Sequence, residues 1–331
     1  MNRRAFLSAL GGTLLAAPIV AGAQGAPRVS RVGYLALNLT AGDPSPREAL
    51  LQALRGLGYV EGKNLIIENR DARGKPDRFP ALAAELAALN VDLILAGGGT
   101  LGAMAAKQAT ATIPVVFLAV GDPVTEGLVD SFARPGGNVT GLAVNSPELA
   151  SKSLELLKQM IPGLTRVAML NKPDATLSAV MVERVKTWDA AARDLGMRLQ
   201  VVEARGPEDF NRAFSAMVRE RADALTVVAT PVFDNQRRRI AELAARHRLP
   251  AVYTFRPYVD SGGLMSYGPD ISDLFRRAAT YVDKILKGAR PGDLPMERPT
   301  RFDFLVNLRT AQALGLTIPP SVLHQATETI Q

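Results

Sequence analysis

A chain of 331 residues that is 47% hydrophobic and 21% charged, with no cysteine and two histidines, has the composition of a folded globular protein with room for about two domains. Without cysteine there is no disulfide, thiolate metal site, cysteine nucleophile or lipidated N-terminal cysteine, and His247 and His324 alone do not make a multi-histidine metal centre; no metal and no cofactor are expected. The net charge of +7 is mostly interleaved with acids, as in Arg47-Glu48, Asp77-Arg78 and Glu183-Arg184, and the one dense run, Arg237-Arg238-Arg239, reads as a solvated helix face, so no nucleic-acid partner is expected.

The chain opens Met1-Asn2-Arg3-Arg4-Ala5-Phe6-Leu7, with a twin-arginine pair. An apolar, Gly- and Ala-rich stretch runs to about Val20, followed by Ala21-Gly22-Ala23, a small-x-small cleavage pattern. Gly11, Gly12 and Pro18 interrupt that stretch, which is shorter than the ~20 apolar residues of a spanning helix. Residues 1–23 are expected to be a cleaved export signal of the twin-arginine type. The mature chain is expected in a periplasm, free of a lipid tether.

Beyond the signal, short β-rich runs at 31–37, 65–68, 91–96 and 115–120 alternate with helical patterns at 47–57, 78–89 and 101–109. Runs that are apolar throughout, such as Leu93-Ile94-Leu95-Ala96, suit a parallel sheet covered on both faces. Such alternation predicts a doubly wound α/β layer. The second half repeats the plan. Arg31-Val32-Gly33-Tyr34-Leu35 is echoed by Arg166-Val167-Ala168-Met169-Leu170, and Gly58 by Gly196, Asp92 by Asp223 and Pro114 by Pro250, at near-constant spacing. Two similar parallel-sheet lobes follow.

The tail reads as a strand at 263–268, a helix at 273–287 with Ser272 as N-cap and Gly288 at its end, a strand at 302–307 and a final helix at 308–314. These elements complete neither lobe alone, so the chain crosses between lobes more than once. Lobe 1 is expected from 30–144 plus 254–300, and lobe 2 from 145–253 plus 301–331, joined by a multi-strand hinge.

Three stretches carry a family resemblance. Gly121-Asp122-Pro123-Val124, Gly127-Leu128-Val129 and Ala133-Arg134-Pro135-Gly136-Gly137-Asn138-Val139-Thr140-Gly141 form one. Leu57-Gly58-Tyr59-Val60-Glu61-Gly62-Lys63-Asn64 and the tail Asn307-Leu308-Arg309-Thr310-Ala311-Gln312-Ala313-Leu314-Gly315-Leu316-Thr317-Ile318-Pro319-Pro320 are the others. Over about residues 30–325 the chain resembles the ABC-transporter substrate-binding proteins of the tryptophan/tyrosine type. The resemblance implies a type I periplasmic binding fold and a non-enzymatic protein that delivers a small ligand to a membrane permease. A monomer is expected.

In open α/β sheets ligands sit beyond the carboxyl ends of the strands, so candidates are sought at strand–helix junctions. Gly97-Gly98-Gly99-Thr100 opens a helix, where N–H groups and the helix N-terminus suit an anion; Gly98, Gly99 and Thr100 are taken as ligand-binding, with Thr100 also capping. Asp122 either pairs with a ligand ammonium or caps a helix beginning near Pro123. Asn145, at the first crossover, and Asn171 end later strands. Thr230, Phe233 and Asp234 form the lobe 2 counterpart of the triple-glycine turn, with Phe233 covering an apolar part of the ligand. Tyr253 and Tyr267, with Phe255, lie at late strand ends, as ligand contacts or hinge packing. Asn38 follows the first strand. Trp188 is read as a packing residue.

The run Gly97-x-Gly99-x-x-Gly102, with Asp122 beyond it, also matches a dinucleotide fingerprint. An exported NAD(P)-dependent oxidoreductase is therefore the alternative. The fingerprint belongs after the opening strand of its unit, whereas two βα units precede it here.

Overall fold

The computed structural model describes residues 29–39, 45–145, 148–173 and 178–331. The expected export signal lies outside the described residues, as do Thr40, Ser146 and Asp174.

Two sheets organise the chain. The first holds β1 (Ser30–Ala36), β2 (Leu65–Asp71), β3 (Leu93–Ala96), β4 (Val115–Val120) and β5 (Val139–Ala143), all parallel, in the order β2-β1-β3-β4-β5. The second holds β6 (Arg166–Asn171), β7 (Arg198–Glu203), β8 (Ala224–Val227), β9 (Ala251–Tyr253), β10 (Met265–Pro269), β11 (Phe302–Asn307) and β12 (Glu328–Ile330), in the order β7-β6-β8-β9-β10-β11-β12. Among the described residues, only the β10–β11 pair is antiparallel. The first five strands of each sheet thus share one topology, which is the repeat read from the sequence.

The repeated landmarks have physical roles. The Arg31 N–H donates to Asp92 Oδ2 at 2.7 Å, and the Arg166 N–H donates to Asp223 Oδ2 at 2.8 Å. Each aspartate stands just before the third strand of its sheet and ties it to the start of the first. Pro114 and Pro250 offer their carbonyls to Ile94 and Leu225, at 2.8 and 2.9 Å, and so set the register of the fourth strand on the third.

Helices cover both faces of each sheet. In lobe 1, α2 (Phe79–Ala88) and α3 (Gly99–Ala109) bury Phe79, Leu82, Leu86 and Ala103 against Leu35, Ile94 and Phe117. On the other face, α1 (Ser45–Gly56) and α10 (Ile271–Leu286) close over Val32, Leu93, Leu95 and Val116. The α10 residues Leu274, Phe275, Ala278, Tyr281, Val282 and Ile285 recur at the three- and four-residue spacing of one helical stripe. Lobe 2 repeats this with α4 (Glu148–Met160) and α5 (Ser178–Asp194) on one side, and α6 (Phe210–Arg219), α7 (Pro231–Asn235), α8 (Arg237–Arg246) and α9 (Arg256–Asp260) on the other. The short helices α11 (Leu308–Ala313) and α12 (Pro320–Leu323) end the chain with β12.

Among the described residues, the chain crosses between lobes three times: after β5, between β10 and α10, and before β11. The expected return to lobe 1 at 254 is corrected. Strand β10 pairs with β9, so residues up to Pro269 belong to the second sheet. The repeat extends to five strands, and β10 is the counterpart of β5. On its way back the chain bonds along the edge of lobe 1, where the Ala143 N–H donates to the Glu297 carbonyl at 3.0 Å. Two end signals also differ. The N-cap of α10 is Asp270, which accepts the Asp273 N–H at 2.9 Å, rather than Ser272. The helix beginning at Leu308 is not the last element, because α12 and β12 follow it.

Candidate functional site

The carboxyl ends of the two sheets face each other, and the lobes touch there. The Asn235 side-chain N–H of α7 donates to the Gly74 carbonyl of lobe 1 at 3.4 Å, and the Asn38 amide nitrogen stands 3.9 Å from the point where a Gly74 Cβ would lie. Asn38, named from the first half of the sequence, and Asn235, the residue after the named Asp234 of the second half, therefore both approach Gly74.

The triple-glycine turn has a packing explanation. Gly98 is the N-cap of α3 with φ of +80°, and a methyl there would lie 2.2 Å from Phe79 Cζ. A methyl on Gly102 would lie 1.9 Å from the Gly97 carbonyl oxygen. These glycines bring α3 down onto β3 and Phe79, which gives the dinucleotide-like spacing a packing role. Thr100 does not cap the helix; its hydroxyl donates to Glu126 Oε2 at 2.7 Å.

Strand β4 delivers the next junction through a bulge. Its register on β5 shifts between Phe117 and Val120, and Ala119 takes φ of +57°. Beyond it, Asp122 accepts the Thr125 N–H at 3.2 Å and the Thr125 hydroxyl at 2.8 Å, a cap-like arrangement, but the expected helix from Pro123 is a run of turns instead. Glu126 then points back over Gly121, with Oε1 3.3 Å from the Gly121 Cβ position. Burial pushes the Glu126 carboxyl above its ordinary pKa, against the hydrogen bond from Thr100 and the charge of Arg184 on α5.

In lobe 2, Thr230 caps α7 by accepting the Phe233 N–H at 3.2 Å. Asp234 accepts the Tyr258 hydroxyl hydrogen at 3.1 Å. Burial raises its pKa to about 7, opposed by that hydrogen bond and by Arg237. Asn171, at the end of β6, is 4% exposed, and its Oδ1 is buried without a hydrogen-bond partner among the described residues. Asn145 is exposed at the first crossover.

Of the three aromatic candidates, two face the core of lobe 2 and the third takes the packing alternative. Phe233 is fully buried and packs edge-on against Phe210, 5.7 Å between ring centroids, so it faces the core of lobe 2. Tyr253 stacks on Tyr258 at 4.5 Å in the same core. Tyr267 stacks on Phe302 at 5.6 Å between β10 and β11, the hinge-packing role. Trp188 packs against the lobe 2 core, as read.

Sequence reasoning missed Glu126, Arg184 and Asn235. Arg184 has a recoverable signal. It shares a helical stripe with Val180, Trp188 and Ala191, which pack inward, so it is a cation on an apolar face. The neighbouring Glu183 pairs instead with Lys186, at 3.6 Å.

A family profile described as "ABC transporter substrate binding protein" matches residues 44–330. The chain is 28% identical to a tyrosine-binding protein of Clostridioides difficile (strain R20291) over 273 residues, 82% of this chain and 76% of that one. Its fold is similar to a crystal structure of an ABC domain in complex with L-Trp from Streptococcus pneumonia, with TM-score 0.82, 25% identity and coverage of 91% and 99%. It is also similar to the ligand-free, open structure of a substrate-binding protein with adhesive properties from Clostridium difficile, with TM-score 0.70, 25% identity and coverage of 92% and 100%.

Proposed function

This chain belongs to the ABC transporter substrate-binding protein family, and on that premise we propose that it captures a free amino acid, aromatic by preference, between its two lobes and hands it to an inner-membrane permease. The observation that carries the reading is the meeting of polar groups from both lobes at the strand ends. Asn38 and Gly74 face Asn235 there, and Glu126 faces Arg184. Asn171 Oδ1 adds a buried acceptor without a donor among the described residues, a state that costs ~1–3 kcal/mol and that a ligand N–H or O–H relieves. At equal identity, the greater likeness to the L-Trp complex than to the open, ligand-free relative supports a closed arrangement of the lobes.

Closure is driven only by the difference in ligand affinity between the closed and open forms. Micromolar capture needs about −8.2 kcal/mol, within reach of a few charge-assisted hydrogen bonds and burial of one apolar side chain. The ligand leaves chemically unchanged. The twin-arginine segment supports export to the periplasm with cleavage near Ala23, and action as a monomer completes the reading.

A thermal-shift panel of the twenty amino acids, NAD(H) and NADP(H) tests it. At 100-fold excess over Kd a ligand adds ~2.7 kcal/mol, so tyrosine or tryptophan is expected to raise the Tm by roughly 5 °C. A rise with a nicotinamide cofactor and with no amino acid would overturn the proposal in favour of the oxidoreductase.

A further inference from the structure

Arg184 reaches from α5 of lobe 2 to the end of β4 in lobe 1. Its Nη2 stands 3.7 Å from the Gly121 Cβ position, beside Glu126 Oε1 at 3.3 Å from the same point. The two side chains therefore overhang one spot from opposite lobes. Gly121 does not adopt a left-handed φ, so its backbone does not call for glycine; the bare floor beneath the two charges does.

The pair is electrostatically coupled, yet the guanidinium's one hydrogen bond among the described residues is from Nη1 to Met181 Sδ at 3.8 Å, a weak acceptor. A half-buried guanidinium has five N–H donors to satisfy, and leaving them unfilled is costly. Glu126 is oriented from its own lobe, through the Thr100 hydroxyl at 2.7 Å and the Asp122 N–H at 3.4 Å. The Asp122 carboxylate is taken up by Thr125, so Glu126 is the acid that faces Arg184. One acid and one base face each other without closing into a direct ion pair.

An α-amino acid carries an ammonium and a carboxylate on one carbon, with the opposite polarity to this pair. We propose that Glu126 and Arg184 read the zwitterionic head group of the ligand, Glu126 receiving the ammonium and Arg184 the carboxylate, and thereby restrict the cleft to free amino acids. The inference rests on the amino-acid reading above and adds the residues that set ligand class. A simple amine leaves Arg184 unpaired, and a simple acid leaves Glu126 facing a like charge. Sites built around such polar pairing reject analogues lacking one partner group by large factors.

Titration calorimetry of the full chain with L-tryptophan, tryptamine and indole-3-propionate tests this. Wild type is expected to prefer tryptophan over either analogue by at least about 100-fold. In Arg184→Gln the tryptophan-to-tryptamine ratio falls to within about 10-fold, and Arg184→Lys restores part of it. In Glu126→Gln the tryptophan-to-indole-3-propionate ratio collapses in the same way. Each ratio is read within one variant, so a general loss of affinity cancels, and the ligand-free Tm of each variant verifies folding. Folded Arg184→Gln and Glu126→Gln proteins that keep the wild-type ratios overturn the inference and leave the amino-acid reading standing. A wild type that binds neither L-tryptophan nor L-tyrosine overturns both.

Discussion

Asp234 occupies a position where its charged form is disfavoured. Burial holds its pKa at about 7, against the ordinary 3.8, although Tyr258 and Arg237 both favour the anion. The folded state therefore binds more protons than the unfolded state between about pH 4 and pH 7. Stability from this group is greatest below pH 4, declines as pH rises through 7 and then levels off. Urea unfolding at pH 5 and pH 8 should show that decline in wild type, and Asp234→Asn should flatten it. An unchanged slope in the variant would mean that the carboxyl is solvated. Other residues divide by how much their surroundings are encoded locally. The Gly97–Thr100 turn was legible because a buried strand followed by glycines allows few backbone paths. Phe233 and Tyr253 were placed at the correct junctions but on the wrong side, because an aromatic at a strand end can turn toward core or cleft, and distant residues such as Phe210 and Tyr258 decide which. Arg184 was hidden by Glu183 beside it, since an alternating charge pair reads as solvent-facing until the buried stripe of α5 is considered.

Among the elements, α10 holds lobe 1 to the return crossover, and its start is set by a single side chain. Asp270 is in an extended conformation directly after β10 and accepts the Asp273 N–H. Asp270→Ala should cost ~1 kcal/mol in chemical denaturation, the usual worth of an N-cap. Ser272→Ala, one turn position inside the helix, should stay within ~0.5 kcal/mol; the reverse ranking would restore Ser272 as the cap. Both residues are good caps by type, and the sequence reading took Ser272; the end of β10 at Pro269 decides for Asp270. The strands at Val115–Val120 and Phe302–Asn307 were read with their actual limits, because each is an apolar or alternating run bounded by punctuating residues. Strand β10 was seen as a strand but assigned to the wrong lobe. Its pairing with β9 depends on the fifth position of the repeated sheet order, which no local pattern displays.

At the scale of the molecule, two lobes built on one strand order are joined by three passages of the chain. Several parallel connections permit rotation about the hinge while resisting shear, as hinge closure requires. The stacked Tyr267 and Phe302 flank two of these passages at the ends of β10 and β11, and Glu297, on the third passage, bonds to Ala143 and Gly141 of β5. The repeat made two lobes legible in the sequence, whereas the cross-lobe contacts at Gly74 and Asn235 exist only once both halves are folded and apposed. Closure on an amino acid, as proposed, should reduce backbone opening on both walls together. Hydrogen–deuterium exchange with and without saturating L-tryptophan or L-tyrosine measures this directly. Protection is expected at 97–100 and 121–126 in lobe 1, together with 180–188 and 230–235 in lobe 2. Protection of one lobe only, or none in the presence of either amino acid, would contradict capture between the lobes.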